Sequence, residues 1–115
     1  MKADEPERRE AQRAFISGEV RYQTEGVSVL ASIRNISRGG MVISTDDPLR
    51  EGEEVQLRFT LPGIARTFNV KARIVWSNPA LGESWEPPGM GVEFLDLDEE
   101  GARVIDRFIQ GPEGG

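Results

Sequence analysis

The chain has 115 residues, the length of one domain with a modest core, and carries 14 Lys+Arg against 20 Asp+Glu for a net charge of −6. It contains no histidine and no cysteine, which removes disulfides, thiol nucleophiles, triad hydrolases and the usual zinc, copper and iron sites. The negative balance argues against sequence-independent DNA or RNA binding and against anionic membrane surfaces, because both depend on cations facing phosphates.

The chain starts Met1-Lys2-Ala3-Asp4-Glu5-Pro6, with no apolar h-region, and no later apolar run approaches membrane-spanning length. A cytoplasmic protein without membrane insertion is expected. Residues 1–13 are charged and hold no apolar side chain larger than alanine after Met1, the composition of a flexible N-terminal arm. Residues 14–110 are expected to form the folded body and residues 111–115 a disordered tail.

From Phe15 onward the pattern has period two. Val27, Val29, Ala31 and Ile33 alternate, although Leu30 interrupts the polar face. Val55, Leu57, Phe59 and Leu61 alternate with Glu54, Gln56, Arg58 and Thr60. Phe68, Val70, Ala72, Ile74 and Trp76 repeat the pattern, and Met90, Val92 and Phe94 end it. Such alternation marks half-buried antiparallel strands. Turn chemistry separates them at Thr24-Glu25-Gly26, Asp46-Asp47-Pro48, Glu51-Gly52 and Leu61-Pro62-Gly63, and the longest irregular connection runs over 78–88. About six strands without intervening helices predict a mostly β fold, a six-stranded antiparallel barrel.

One C-terminal helix is expected. Asp98 suits the N-cap, Glu99 and Glu100 suit the first turn, Ala102, Ile105 and Ile109 share a face, and Gly111-Pro112 ends it. The acidic stretch 93–100 has no metal-loop spacing.

Two fragments concentrate chemistry. Arg8, Arg9 and Arg13 lie at the end of the arm. Asn35-Ile36-Ser37-Arg38-Gly39-Gly40 lies between two strand patterns and reads as their connection, longer than a simple hairpin needs. Taken separately, each fragment has an ordinary explanation. Arg9 and Arg13 can pair with Glu5 and Glu10 on a solvated surface, and Asn, Ser and Gly-Gly suit an Asx/Ser turn with positive φ. Together they offer guanidinium forks that match guanine O6/N7 or phosphate oxygens and stack on purines, beside a side-chain amide, a hydroxyl and a backbone open to close approach.

Arg-x-x-x-Arg at 9–13 followed by Asn-x-Ser-x-x-Gly at 35–40, ahead of a predicted six-stranded barrel, resembles the signature of the PilZ domain family, bacterial receptors for cyclic di-GMP. Gly52 before Val55-Gln56-Leu57, the Val70–Trp76 strand and Gly91-Val92-Glu93-Phe94 before the helix are also similar to that family, so the resemblance covers roughly residues 7–110. It implies a non-catalytic receptor or adaptor with no catalytic or metal residues and no cofactor, whose arm orders on cyclic di-GMP and relays the signal to a protein effector. Arg9 and Arg13 would grip guanines and phosphates from the arm. Asn35 and Ser37 would contact a guanine from the barrel, Arg38 would flank them, and Gly40 would keep the loop tight. An arginine at the position of Arg8 accompanies an intercalated pair of ligands in relatives, which implies two molecules per domain. Asn35 stands where the commoner form has Asp, an allowed alternative. A PilZ-like interaction module that binds no nucleotide is the competing reading. Trp76, in phase with Phe68, Val70 and Ile74, is expected in the core, with a purine platform as the alternative. Trp85 is expected to be exposed.

Overall fold

The computed structural model describes residues 14–79 and 87–111, of which 14–17 by backbone only. Arg8, Arg9, Arg13, Trp85, the arm as a whole and the tail from 112 onward fall outside the described residues. Six strands are present: β1 (Ala14–Thr24), β2 (Val27–Ser37), β3 (Gly40–Ser44), β4 (Glu54–Thr60), β5 (Thr67–Asn78) and β6 (Gly89–Phe94), followed by helix α1 (Glu99–Gln110). They close into an antiparallel barrel in the order β1-β2-β3-β6-β5-β4. The expected six-stranded barrel and C-terminal helix are both found.

The alternation read from the sequence sets the inner face. In β4 and β5, Val55, Leu57, Phe59, Phe68, Val70, Ala72 and Ile74 are all buried, and each intervening residue is exposed. Val20 and Tyr22 of β1, Ile33 and Ile36 of β2, Met41 and Ile43 of β3 and Met90 and Val92 of β6 complete the interior. Phe59 and Phe68 stack with ring centroids 4.8 Å apart. Closure leaves no free sheet edge among these strands, since β4 pairs with β1 through Val20↔Phe59 and Tyr22↔Leu57. The β1–β2 return is two residues long, with φ of 48° at Glu25 and 81° at Gly26, the backbone of a tight hairpin whose twist matches its strands.

Tyr22 anchors the β3–β4 connection. Its hydroxyl donates to the Asp47 carbonyl at 3.0 Å and shares a hydrogen bond with Thr45 Oγ1 at 2.9 Å. Burial pushes its phenol above the ordinary value.

Helix α1 begins as expected. Asp98 Oδ1 accepts from the Gly101 N–H at 2.7 Å, and the Gly111 N–H closes the other end on the Arg107 and Phe108 carbonyls. Ile105 is fully buried, and α1 lies against β2. The Gly101 hydrogen bond, aided by Arg66 at 3.4 Å, holds the Asp98 carboxyl below its ordinary value of 3.8. A lowered carboxyl stabilises the fold above its ordinary range and loses that contribution as pH falls through the folded value. Asp98→Ala is therefore expected to lower Tm by a few degrees at neutral pH, while Asp98→Asn, which keeps the cap, lowers it less. Thermal unfolding at pH 7 and pH 3 checks this, the gap between wild type and Asp98→Ala narrowing in acid.

Candidate ligand-binding face

The Asn35–Gly40 segment differs from the expected six-residue connection. β2 runs through Ser37 and β3 starts at Gly40, so the hairpin loop is Arg38-Gly39 alone, and Asn35 and Ser37 sit on the strand itself. The cause is an irregular register. Between Ile33↔Ile43 and Asn35↔Val42, β2 spends one residue more than β3, a bulge at Arg34. This extra residue re-phases the strand, so that Ile33 and Ile36 both reach the core while Asn35 stays half-buried.

A matching bulge lies three strands away, on β5. Between Ile74↔Val92 and Trp76↔Gly91, β5 spends one residue more than β6, at Val75. The alternation reverses there, and Trp76 turns outward. Trp76 is 39 % exposed and Val75 is 40 % exposed, so the expectation of a core tryptophan is corrected. The indole lies across Gly91, where an added Cβ would meet its Nε1 within hard-sphere contact.

Register links these positions in one row across the sheet: Asn35 pairs with Val42, Val42 with Gly91, and Gly91 with Trp76. Four neighbouring strands span about 14 Å at the usual spacing, the breadth of a purine nucleotide. Both ends of the row are marked by a bulge that aims a polar or aromatic side chain outward. On its far side Asn35 pairs with Phe15, and Ala14 pairs with Ile36, beside another irregularity between Phe15 and Gly18. Arg13 immediately precedes Ala14 in sequence. The arm's sequence thus joins the barrel one strand away from Asn35.

The remaining candidate residues divide by role. Ser37 is 2 % exposed, and its hydroxyl donates to the Gly40 carbonyl at 3.5 Å and accepts from the Gly39 N–H at 3.3 Å. It organises the tight turn. Neither Gly39 nor Gly40 has positive φ, contrary to the turn reading. Gly40 is required for another reason: an added Cβ would fall 2.0 Å from the Val92 carbonyl oxygen and 3.1 Å from the Glu93 Cα, across the β3–β6 pairing. Arg38 is exposed and lies 3.4 Å from Asp106 of α1, joining the turn to the helix. Arg34 is not equivalent to Arg38. Its Nε donates to Ser44 Oγ at 3.2 Å and its Nη2 to the Pro88 carbonyl at 3.3 Å, strapping β2 to the segment before β6. Among the described residues, no group of His, Cys, Asp and Glu is arranged to hold a metal ion. No helix among them is long and apolar enough to cross a membrane.

A PilZ domain model matches residues 7–111, nearly the whole chain. The chain belongs to the PilZ domain family. Among solved structures, this PilZ chain is similar to the Bacillus subtilis inhibitor of motility MotI/DgrA, with a TM-score of 0.74 at 20% identity over 89% of this chain and 49% of that one. It is also similar to the PilZ domain of Escherichia coli YcgR with c-di-GMP, at TM-score 0.69 and 20% identity over 89% of this chain and 88% of that one. The PilZ domain of CeSA from a cellulose-synthesizing bacterium matches at TM-score 0.57 and 18% identity, over 84% and 93%. At these identities the likeness shows the fold. This chain spans about half of MotI/DgrA and 44% of a second Escherichia coli YcgR structure in complex with c-di-GMP. No curated protein matches the sequence significantly.

Proposed function

We propose that this PilZ domain is a cyclic di-GMP receptor, binding at the seam between its N-terminal arm and the outer row Asn35–Val42–Gly91–Trp76. The observation that carries this reading is the junction of the two motif fragments. The residue after Arg13 is registered next to the strand that holds Asn35 and Ser37. Family membership and a YcgR PilZ domain solved with c-di-GMP support the choice of ligand.

In this reading Arg9 and Arg13 bring bidentate donors and stacking planes from the arm to guanine and phosphate. Asn35 supplies an amide to a base edge. Trp76 offers the opposite end of the row a flat apolar surface. Ser37, with its hydroxyl turned inward, and Gly40 act by holding Asn35 and Arg38 in place. Arg8 sets a stoichiometry of two ligands per domain. Binding orders the arm, the entropic cost of ordering being offset by the new contacts, and the altered surface is read by a protein effector. The domain binds and does not catalyse, and it works in the cytoplasm.

Isothermal titration with cyclic di-GMP tests the proposal. Saturable heat with Kd of about 1 μM or tighter and a molar ratio of two is expected, with Arg9→Ala and Arg13→Ala abolishing the signal. Raising the salt is expected to weaken binding, since guanidinium–phosphate contacts contribute. No heat from folded protein would sink it and would favour the interaction module, for which the inward Ser37 hydroxyl and the Arg38–Asp106 pair give some structural ground.

The same pair gives a second prediction. If Arg38 joins the ligand, it must leave Asp106. An exposed pair is worth about 0.2–1 kcal/mol, so Asp106→Asn is expected to tighten cyclic di-GMP binding by about 1.4- to fivefold. Unchanged affinity in the same titration would assign Arg38 to the helix contact alone.

A further inference from the structure

The ring order of the strands places the β1–β4 seam opposite the β3–β6 seam that carries the proposed nucleotide face. On this opposite seam Arg21 and Arg58 are direct cross-strand partners. Both are exposed, flanked by the inward Val20, Tyr22, Leu57 and Phe59, so both guanidinium groups stand on the outer face. Like charges placed directly opposite on a sheet destabilise it. Among the described residues the ion pairs are Arg38–Asp106, Arg66–Asp98 and Arg73–Glu54, so neither Arg21 nor Arg58 is neutralised there.

The cations are not alone. Leu30, which interrupted the polar face in the sequence, is the β2 partner of Arg21 and is 53 % exposed. It forms a ridge between two shallow depressions. One, of about 360 Å³, is lined by Glu19, Arg21, Arg58, Thr60 and Thr67. The other, of about 420 Å³, lies over Ser32, Ser44 and Asp46 beside Pro88. Both are open, so a small molecule would stay largely in water. A polypeptide, which carries its own cover, fits such a shelf better.

We infer that the Arg21–Arg58–Leu30 surface is a docking site for an acidic segment of another protein, with carboxylates against the paired guanidiniums and an apolar side chain against Leu30. Charge selects the occupant. A second copy of this chain, at a net charge of −6, meets repulsion from its whole surface, whereas a short acidic segment brings only its local charge to the two arginines. Nucleic acids and anionic lipid need a broader basic field than two arginines beside Glu19. An acidic partner relieves the Arg21–Arg58 opposition and buries Leu30 in one event. The inference does not rest on nucleotide binding.

The experiment is a titration of ¹⁵N-labelled full chain, without cyclic di-GMP, using a short capped peptide of glutamates around one leucine. Saturable shifts at the Arg21, Leu30 and Arg58 amides are expected. Arg21→Glu and Arg58→Glu are each expected to weaken binding by about tenfold, as is raising the salt from about 0.05 to 0.5 M. Both variants turn a like-charge opposition into an opposite-charge one, so their Tm is expected to hold or rise, which separates lost binding from lost fold. Leu30→Asp is expected to weaken binding as well. Three results would overturn the inference: no saturable shift, affinity unchanged in both charge variants, or shifts at the same amides that grow with protein concentration alone and so assign the face to self-association.

Discussion

Replacing Gly40 by alanine is expected to lower the stability of this domain by about 3 kcal/mol or more, roughly 10 °C or more in Tm. The added methyl would sit 2.0 Å from the Val92 carbonyl oxygen, with the Val92 carbonyl carbon at 3.0 Å and the Glu93 Cα at 3.1 Å. All three are backbone atoms of β6, so no side chain can swing aside. The strands themselves must separate, and Met41↔Val92 and Ile43↔Met90 on the same seam face the core. Gly39→Ala is the control. Its methyl would touch nothing nearer than Ser37 Oγ at 4.0 Å, and a change below about 1 kcal/mol is expected. Thermal and urea unfolding of the two variants side by side measure the difference. Equal stability would show that the glycine pair serves the turn and not the seam.

Asn35→Ala is expected to weaken cyclic di-GMP binding by about 10- to 100-fold with little change in Tm. The estimate is the cost of losing one or two amide hydrogen bonds to a base edge, about 1–3 kcal/mol. From the bulge itself Arg34 bonds Ser44 and Pro88, so the strand is expected to keep its course in the variant. Asn35→Asp keeps the acceptor and loses the donor, and titration of the three proteins would tell which half of the amide reads the base. An affinity unchanged in Asn35→Ala would remove the barrel side of the proposed site.

The β4–β5 pair was legible because period two persists there without interruption: Val55, Leu57 and Phe59 pair with Ala72, Val70 and Phe68 side by side on the inner face. Helix α1 was legible because its caps are local, Asp98 bonding a backbone three residues on and Gly111 bonding one three and four residues back. The bulges were not. Arg34 and Val75 are ordinary strand residues without Gly or Pro beside them to mark a break, so simple alternation carried Trp76 into the core. What places a bulge there is the pairing partner on β3 or β6, far away in sequence. Gly40 shows the same limit. Beside Gly39 it looked like turn chemistry, yet its constraint comes from the Val92 carbonyl on β6. Arg34 and Arg38 flank Asn35 and Ser37 on either side, and only Ser44, Pro88 and Asp106, distant in sequence, distinguish their roles. Leu30 did signal its exposure, by breaking the alternation of β2.

The measurement closest to the central claim is an amide and indole map of cyclic di-GMP binding on ¹⁵N-labelled protein. Shifts are predicted at Asn35, Arg38 through Gly40, Val42 and Gly91, at the Trp76 indole N–H and at the amides of residues 8–13. Arg21, Leu30 and Arg58 on the opposite seam are predicted to stay in place. A saturable map centred on that opposite seam, or no shift in the row from Asn35 to Trp76, would contradict a nucleotide site at the junction of arm and barrel.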